Sequence, residues 1–374
     1  MAASAGHGSV GAARTEPGSV DAARTEPGGL DAARTEHGIV DVARAAGVST
    51  ATVSRALRGL PNVTEATRQR VMAAAAQLGY VASPSAASLA SGRTRTIGLL
   101  TPWVRRWFFA HVVDGAERAF REANFDALLY RFDLVGGERR RVDPAVLRRR
   151  VDGVLVVGLP LRQSEVDDLV ALGQPLIFVG SGPPGQLTVR LDDKRAGREA
   201  TEHLLSLGHT RIAHVSGDSD SMSAWAPGVH RLEGWRQALR NAGLTPDETL
   251  VVPGDFELAV ARKAAVRLLR EHPDVTAVFA ASDEMAMGVV LAARDLGLRV
   301  PDDLSVVGVD GHELGELVGL TTMAQDAAGQ GEYAARLLLG LIRGERRDVD
   351  PSSPACLVVR ASTAPPRDAV VADR

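Results

Sequence analysis

The hydrophobic pattern first becomes regular at residues 39–57, where two short apolar stripes with helical spacing flank a tight turn. Ala43 is small enough for two helices to approach closely, and Gly47 suits a turn that needs a positive φ. Val53 returns to the core, and Ser49 is placed to cap the second helix. The pattern therefore predicts a helix-turn-helix, the alternative being an alanine-rich helical hairpin within a larger domain. The predicted outward-facing positions are Thr50, Ala51, Thr52, Ser54 and Arg55.

A third helix is predicted to follow in the same unit. Thr64 can cap this helix, and Glu65 would face the positive end of its dipole. The apolar stripe of the helix consists of Val71, Ala74, Ala75 and Leu78. The next segment, residues 83–92, has little apolar surface to bury, so we expect it to be helical only when a partner stabilises it.

From Thr96 onward, apolar runs alternate with amphipathic helices, the first of which is predicted at residues 108–123. The strands are predicted at residues 97–101, 128–132, 151–157, 175–179, 187–191, 212–215, 277–280 and 304–309. Such alternation predicts parallel sheets that are covered by helices on both faces. So many elements imply two sheets.

A ten-residue repeat precedes the helix-turn-helix. Residues 8–17, 18–27 and 28–37 follow one pattern, and a fourth copy begins at Gly38. Each copy offers at most two helical turns and one or two apolar side chains, which cannot offset the entropy cost of ordering it. We therefore expect residues 1–38 to be a disordered arm.

Charge is unevenly distributed along the chain, whose 374 residues carry a formal net charge of -3. Residues 39–95 hold two carboxylates against seven arginines, which are Arg44, Arg55, Arg58, Arg68, Arg70, Arg93 and Arg95. A basic head on an acidic body is typical of a nucleic-acid-binding module joined to a sensor. The single cysteine, Cys356, fits a reducing compartment, and no signal or membrane segment is evident, so we expect a cytoplasmic protein without membrane contact.

Three sequence patterns that are typical of enzymes are incomplete or absent in this chain. Residues 180–185 match the glycine pattern of a dinucleotide-binding turn, but two prolines remove amides and a strand is predicted where a helix is required. His203 and His209 lack the spacing and the cysteine partners of a zinc site. No G-x-S-x-G nucleophile elbow occurs. We therefore expect no catalytic residues, no cofactor and no metal.

Four motifs together carry a family resemblance: A-G-V-S-x-A-T-V-S-R, V-T-x-x-T-R, L-G-Y and S-L-A-S-G-R-T-R-T-I-G-L. They resemble the lactose-repressor (LacI/GalR) family of bacterial transcription regulators, and the match covers nearly all of the chain beyond the arm. The resemblance implies that Thr50, Ala51 and Arg55 read base edges in DNA. It also implies that Ala86 and Leu89 enter the minor groove as part of a hinge helix.

The resemblance further implies a sensor of two lobes, of the periplasmic-binding-protein type, with a ligand in the cleft between them. The chain would cross between the lobes near residues 188–192, 322–326 and 344–354. The implied ligand contacts are Phe108 and Phe109 on one lobe, Arg231, Phe256, Ser282 and Asp310 on the other, and Gln325 at a crossover.

Most of these contacts have a structural alternative. The two phenylalanines could be core residues, and the arginine could form a salt bridge at the surface. The serine, the aspartate and the glutamine could cap helices or form turns. We expect Asp283 to be a helix cap. Gly311 replaces a second aspartate that is common in the family, which leaves the identity of the ligand open.

The predicted fold is an N-terminal all-α helix-turn-helix domain followed by an α/β, two-lobed sensor domain with two parallel sheets. The predicted segments are an arm (1–38), the helix-turn-helix domain (39–82), a hinge (83–95), the sensor and dimerisation domain (96–365) and a disordered tail (366–374).

The predicted function is that of a homodimeric repressor, which binds pseudo-palindromic double-stranded operator DNA and responds to a small polar effector, with a sugar as the first candidate. A purine or nucleoside effector is one alternative. Another is a sensor that has lost regulated DNA binding. A periplasmic solute-binding protein would share the body but lack the helix-turn-helix, and an enzyme would need catalytic residues that we do not find.

Overall fold

The computed structural model describes most of the chain, namely residues 37–80, 93–132, 134–135, 138–139, 141–217, 225–345 and 352–367. The predicted arm up to residue 36, the predicted hinge residues Ala86 and Leu89, and the tail beyond residue 367 lie outside the described residues. The chain divides into two compact units between Ser83 and Pro84.

The described residues of the first unit form three helices, α1 (Ile39–Ala46), α2 (Thr50–Leu57) and α3 (Glu65–Gln77). Gly47 ends α1 with a φ of 66°, which glycine adopts without strain. Ser49 caps α2 by accepting a hydrogen bond from the amide of Thr52. The helix-turn-helix predicted from the sequence is therefore confirmed.

The core of this unit draws on all three helices. Val42, Val53 and Val71 are completely buried, one from each helix. Ala43 is 6% exposed, which agrees with its predicted place where α1 approaches its neighbours. Thr64 caps α3 through the amide of Thr67, so the third helix also begins as predicted.

The second unit alternates strands and helices. In chain order its elements are β1 (Thr96–Thr101), α4 (Trp107–Glu122), β2 (Asp126–Arg131), β3 (Leu134–Val135), β4 (Glu138–Arg139), β5 (Gly153–Val157), α5 (Gln163–Val170), β6 (Leu176–Val179), β7 (Thr188–Leu191), α6 (Asp193–Ser206), β8 (Ile212–Ser216), α7 (Pro227–Asn241), β9 (Val251–Pro253), α8 (Leu258–Glu271), β10 (Ala277–Ala280), α9 (Asp283–Asp295), β11 (Ser305–Asp310), α10 (Glu313–Leu317), β12 (Thr321–Gln325), α11 (Ala327–Ile342), β13 (Ser352–Ser353) and β14 (Ala355–Val358).

Two six-stranded sheets organise the described part of this unit, in agreement with the predicted number of large sheets. The first sheet has the order β13-β7-β6-β5-β1-β2 and the second has the order β14-β12-β11-β10-β8-β9. Every pairing in the first sheet is parallel. In the second sheet β14 pairs antiparallel with β12. This short edge strand was not predicted, because its exposed side chains give no buried apolar run.

Each sheet has hydrophobic cores on both faces. One core of the first sheet gathers α4 and α11, and the other includes Val166 and Leu169 of α5. In the second sheet, one core gathers α8 and α9, and the other gathers α6 and α7. The sheets are therefore covered by helices on both sides, and we call the two resulting bodies lobe 1 and lobe 2.

The chain crosses between the lobes three times. It leaves the first sheet after β7 and enters lobe 2 through α6. It returns between β12 and α11, and it crosses again at Pro354, between β13 and β14. These positions agree with the three predicted crossovers. Parallel strands of both sheets thus end towards the crossovers, which is where clefts in α/β proteins bind ligands.

Among the described residues, no helix combines the length and the apolar character that crossing a bilayer requires.

Candidate functional site

The outward face of α2 carries the predicted DNA-reading residues. Of these, Thr50, Ala51 and Arg55 are exposed, and Thr52 and Ser54 are half-buried. The hydroxyl of Thr52 is hydrogen-bonded to the hydroxyl of Ser49 over 2.9 Å, so Thr52 also helps to begin the helix. The three exposed positions are accessible to base edges in a major groove.

Arg68 of α3 fixes the C-terminal end of α2, a role that sequence reasoning missed. Its guanidinium donates hydrogen bonds to the carbonyl of Ala56 over 2.9 Å and to the carbonyl of Leu60 over 3.2 Å. It also lies 3.5 Å from the carboxylate of Glu65. The signal that could have revealed it is the arginine that closes the motif V-T-x-x-T-R beside a predicted core.

Lobe 2 contains a buried ionic cluster around Arg231. The Nε atom of Arg231 lies 2.8 Å from the carboxylate of Asp193, and a second nitrogen donates to the carbonyl of Ala281. The carboxylate of Asp310 lies 4.0 Å from the guanidinium. Arg231 is only 5% exposed, so the alternative of a surface salt bridge is wrong. Burial raises the pKa of Asp193, and the charge of Arg231 opposes that shift.

Close packing of α6 against α7 brings Arg231 to Asp193. A Cβ atom at Gly197 would lie 2.3 Å from the carbonyl oxygen of Arg231, and one at Gly234 would lie 2.3 Å from the carbonyl oxygen of Lys194. Glycine on both helices is therefore needed for this approach. The sequence R-L-E-G-W positions the arginine and also supplies the glycine that makes room for it.

Asp310, the last residue of β11, belongs to a second buried hydrogen-bonded set. The side-chain amide nitrogen of Gln325 donates a hydrogen bond to the carboxylate of Asp310 over 2.7 Å. The side-chain oxygen of Gln325 accepts a hydrogen bond from Gln330 over 2.8 Å. Burial raises the pKa of Asp310 to about 7, although the nearby charge of Arg231 and the hydrogen bond from Gln325 act in the opposite direction.

The beginning of α9 differs from the prediction. Ser282 is the N-cap, and its hydroxyl accepts a hydrogen bond from the amide of Met285 over 3.2 Å. Asp283, the predicted cap, instead accepts hydrogen bonds from the amides of Gly311 and His312 and from the hydroxyl of Thr322. The prediction for Asp283 is wrong because these partners lie in segments far along the chain, which local spacing does not reveal.

Phe256 lies in a tight turn between β9 and α8. Asp255 and Phe256 both have positive φ values, 53° and 52°. The ring of Phe256 packs against Gly217, where a Cβ atom would lie 2.3 Å from it. The turn therefore presents an apolar ring at the carboxyl end of β9, on the same lobe as Arg231, Ser282 and Asp310.

Phe108 and Phe109 lie in the first turn of α4, on lobe 1. Both rings are half-buried and contact each other edge to face, with centroids 5.5 Å apart. Phe108 packs against Gly180, which follows β6, and Phe109 packs against Gly158, which follows β5. The two rings therefore lie at the carboxyl ends of lobe 1 strands, as a ligand-contacting position requires, although part of each ring joins the core.

Three residues before the phenylalanines were not predicted as site residues. Trp103 contacts Phe109 edge to face, and the guanidinium of Arg106 lies over its ring. Arg106 and Trp107 bond to residues of lobe 2. The run W-V-R-R-W-F-F is rich in residues that form interfaces, and this composition is the signal that could have marked it.

The candidate site residues are buried polar groups in lobe 2 and half-buried aromatic rings in lobe 1. Arg231 supplies donors, and the carboxylate of Asp310 supplies an acceptor, at adjacent positions. This combination suits a ligand that presents hydroxyl or amide groups, while aromatic rings suit the apolar face of a ring.

His203 and His209 serve the C-terminal segment. His203 is hydrogen-bonded to the hydroxyl of Thr363 over 3.0 Å. His209 lies within hydrogen-bonding distance of Thr276, Ser305 and the carbonyl of Ala364. These contacts fasten the residues after β14 to lobe 2.

Two family models match the chain. Residues 38–83 match the model described as bacterial regulatory proteins, lacI family. Residues 201–363 match the model of a periplasmic binding protein-like domain. The two matches fall on the helix-turn-helix unit and largely on lobe 2.

Curated relatives extend the likeness along the chain. The HTH-type transcriptional regulator DegA of Bacillus subtilis (strain 168) is 33% identical over 329 residues, which cover 86% of this chain and 96% of DegA. CelR of Thermobifida fusca is 37% identical over 311 residues, covering 80% of this chain and 90% of CelR. The transcriptional repressor PurR of Vibrio atlanticus (strain LGP32) is 34% identical over 303 residues, again covering 80% of this chain and 90% of the relative.

Solved structures agree with the relatives. The lac repressor dimer bound to operator and the anti-inducer ONPF superposes with a TM-score of 0.78 at 27% identity, covering 88% of this chain and all of that chain. The CelR-cellobiose complex superposes with a TM-score of 0.65 at 35% identity, covering 87% of this chain and 99% of that chain. The motifs, the two-unit fold and these relatives lead to one conclusion: the chain belongs to the lacI family of bacterial transcription regulators.

Proposed function

We propose that the protein is a homodimeric DNA-binding repressor whose operator affinity is controlled by a small polar effector, a sugar in the first place. The observation that carries the effector proposal is the buried set of Arg231, Asp310 and Gln325 at the carboxyl ends of lobe 2 strands. A guanidinium next to a carboxylate offers a donor and an acceptor to neighbouring hydroxyl groups. Sugars present hydroxyl groups in pairs of this kind.

A purine is the second candidate effector. Phe108 and Phe109 offer aromatic surface at the cleft, and a PurR repressor is among the relatives. The sugar is preferred because the relative CelR, which has somewhat higher identity, was solved in complex with cellobiose. Arg231 and Asp310 serve either ligand, so they do not discriminate between the two classes.

DNA binding is assigned to α2, with Thr50, Ala51 and Arg55 as base-reading residues and with Ala86 and Leu89 as minor-groove contacts of a hinge. One helix-turn-helix reads only a few base pairs, whereas a dimer reads two half-sites about one helical turn apart. The related lac repressor was solved as a dimer on its operator. Leu314, Leu317 and Val318 of α10 and the loop after it expose apolar side chains that a second copy would cover, and Leu317 is 82% exposed.

The protein is proposed to act by binding and not by catalysis, in the cytoplasm, where operator DNA is located. Its single cysteine, Cys356, is exposed and free, which is compatible with a reducing compartment. The buried side chains of Arg231, Asp310 and Gln325 are bonded to other protein groups, and the proposed role of these residues is to bind a ligand without reacting with it.

A thermal-shift screen against mono- and disaccharides, purine bases and nucleosides tests the effector class. A ligand at 100 times its Kd stabilises the folded state by about 2.7 kcal/mol, which is readily measured. Selection from a random duplex library then defines the operator, and fluorescence anisotropy measures whether the identified ligand changes operator affinity.

Three outcomes separate the alternatives. A disaccharide or monosaccharide that shifts both melting temperature and operator affinity supports the proposal. A purine that does so replaces the sugar by the second candidate. A ligand that binds without changing operator affinity, or a failure to select any operator, would indicate a sensor that has lost regulated DNA binding and would refute the proposed function.

A further inference from the structure

The segment from Trp103 to Trp107, which leads from β1 into α4, contacts three separate regions of the opposite lobe. Residues 103–107 follow the carboxyl end of β1 in lobe 1. Their partners lie after β9, after β10 and after β11, each at the carboxyl end of a strand in the second sheet. One short segment therefore connects lobe 1 to three regions at the carboxyl ends of lobe 2 strands: the turn before α8 and the first turns of α9 and α10.

Arg106 holds the first of these regions. Its guanidinium lies 2.6 Å from the carboxylate of Glu257 and donates to the carbonyl of Asp255 over 3.3 Å. The same guanidinium lies 3.9 Å from the centre of the Trp103 ring, which packs against it from lobe 1. The side chain of Arg106 is only 16% exposed, so salt screens this pair less than it screens an open surface pair.

Trp107 contacts the other two regions, the first turn of α9 and the start of α10. Its indole N–H donates to the carboxylate of Glu313, and its ring stacks on the imidazole of His312 with centroids 5.7 Å apart. Its backbone amide donates to the carboxylate of Glu284 over 3.3 Å. This amide belongs to the first turn of α4, where the helix itself supplies no acceptor, so Glu284 satisfies an otherwise unpaired donor.

The loop that receives Trp107 is itself held in place. Asp283 accepts hydrogen bonds from the amide of Gly311 over 2.9 Å and from the amide of His312 over 2.8 Å. His312 in turn caps α10 through the amide of Leu314. The stacking surface and the carboxylate of Glu313 are therefore presented to Trp107 by a fixed turn.

We propose that Arg106 and Trp107 form a clasp between the lobes, which holds the cleft closed in the absence of a ligand. The clasp contacts involve neither Arg231 nor Asp310, so closure and ligand recognition belong to different residues. A ligand then meets contacts that are already assembled, but the clasp must open for the ligand to enter or leave. The clasp rests on contacts within the protein and does not depend on the effector class or on DNA binding.

The distance between the lobes in ligand-free protein tests the clasp. Ser164→Cys in α5 and Lys263→Cys in α8 place one exposed label on each lobe, in a Cys356→Ser background. Double electron–electron resonance reports the intrachain distance when labelled chains are diluted with unlabelled ones. The parent should show one dominant distance. Arg106→Ala, Trp107→Phe and Glu313→Ala should each add a second population, with the open-to-closed ratio raised roughly three- to tenfold.

Matched controls distinguish the clasp from general effects of substitution. Arg105→Ala removes the exposed neighbour of Arg106. Glu316→Ala removes a carboxylate on the same helix as Glu313, but one that pairs with Arg360 inside lobe 2. Both control variants should keep the distance distribution of the parent. Trp107→Phe retains an aromatic ring but loses the indole donor and part of the surface that stacks on His312, and its unfolding curve verifies that it is folded.

The clasp is refuted if Arg106→Ala, Trp107→Phe and Glu313→Ala all keep the parent distribution. It is equally refuted if Arg105→Ala opens the lobes as far as Arg106→Ala does. Failure of the parent to bind operator or sugar would count against the proposed function and would leave these distances, and therefore the clasp, unaffected.

Discussion

Asp310 accepts a hydrogen bond from the side-chain amide of Gln325 over 2.7 Å, and the two residues end neighbouring strands of the second sheet. Gln325 accepts a further hydrogen bond from Gln330 of α11, a helix that packs on the first sheet. The carboxylate of Asp310 is thus joined to the other lobe through one amide side chain. A change in the charge of Asp310 is therefore expected to alter the hydrogen bonds of Gln325 at the crossover between β12 and α11.

The first prediction concerns pH. Burial raises the pKa of Asp310 from 3.8 to about 7, so between these values the folded protein holds a proton that the unfolded chain has lost. The contribution of Asp310 to stability is therefore greatest at low pH and is lost as the pH rises through 7. Asp310→Asn should be more stable than the parent by about 1 to 3 kcal/mol at pH 8, with a smaller difference at pH 5 that vanishes only below the unfolded pKa of 3.8. Urea unfolding at the two pH values measures this, and an equal difference at both would contradict it.

The second prediction compares two arginines of α7. Arg231→Ala leaves the buried carboxylate of Asp193 without its ion-pair partner, which should destabilise the protein by about 3 to 5 kcal/mol. Arg236→Ala removes an ion pair with Glu248, whose side chain is 57% exposed, and should cost at most about 1 kcal/mol. Denaturant unfolding of both variants provides the measurement. Similar losses would show that burial of the first pair does not matter.

A second substitution verifies the cause in the Arg231 variant. Asp193→Asn, added to Arg231→Ala, removes the unpaired charge and should restore part of the lost stability. If the double variant is no more stable than Arg231→Ala alone, the loss arises from packing instead of charge.

Local patterns were sufficient to predict most elements of the fold. The turn at Gly47, the caps Ser49 and Thr64 and the buried strands each follow from a few neighbouring residues. Strand ends moved by only one or two residues because apolar runs and the residues beside them mark these ends. The edge strand β14 lacks such a run and was missed, as were the short strands β3, β4, β9 and β13. The buried strand β12 was also missed, because residues 322–326 were predicted only as a crossover.

The site was less predictable because its bonds join distant segments. Arg231, Asp310 and Gln325 were identified through the resemblance, but their partners Asp193 and Gln330 were not. Nothing near Trp107 in the sequence indicates a bond to Glu313, which lies 206 residues later. Such contacts depend on the relative position of the two sheets, which the three crossovers determine. The hydrophobic pattern of one short segment contains no information about that position.

The third prediction concerns the support of the reading helix. Arg68→Ala removes the donors to the carbonyls of Ala56 and Leu60, so amide exchange in residues 50–60 should become faster and operator affinity should fall about tenfold. Arg70→Ala, an exposed change on the same helix, should leave exchange in these residues unchanged. Hydrogen exchange with mass spectrometry on the full chain measures this, and equal exchange in the two variants would exclude a supporting role for Arg68.

The last prediction separates base reading from phosphate binding. Arg55 lies on the exposed face of α2, whereas Arg58 is the residue that ends the helix, also exposed. A guanidinium bonded to a base edge distinguishes one base pair, but one bonded to a phosphate contributes similarly on every sequence. Arg55→Ala should therefore cost roughly 1 to 3 kcal/mol on the selected operator, chiefly through one base pair in each half-site, and should change binding to random duplex DNA little. Arg58→Ala should weaken both kinds of DNA alike and reduce the salt dependence of binding. Anisotropy titrations on the operator, on operators with single base changes and on random duplexes at several salt concentrations provide the comparison. If Arg55→Ala weakens binding to operator and to random DNA by the same factor, Arg55 contacts phosphate. Base reading would then be assigned to Thr50 and other residues of the α2 face.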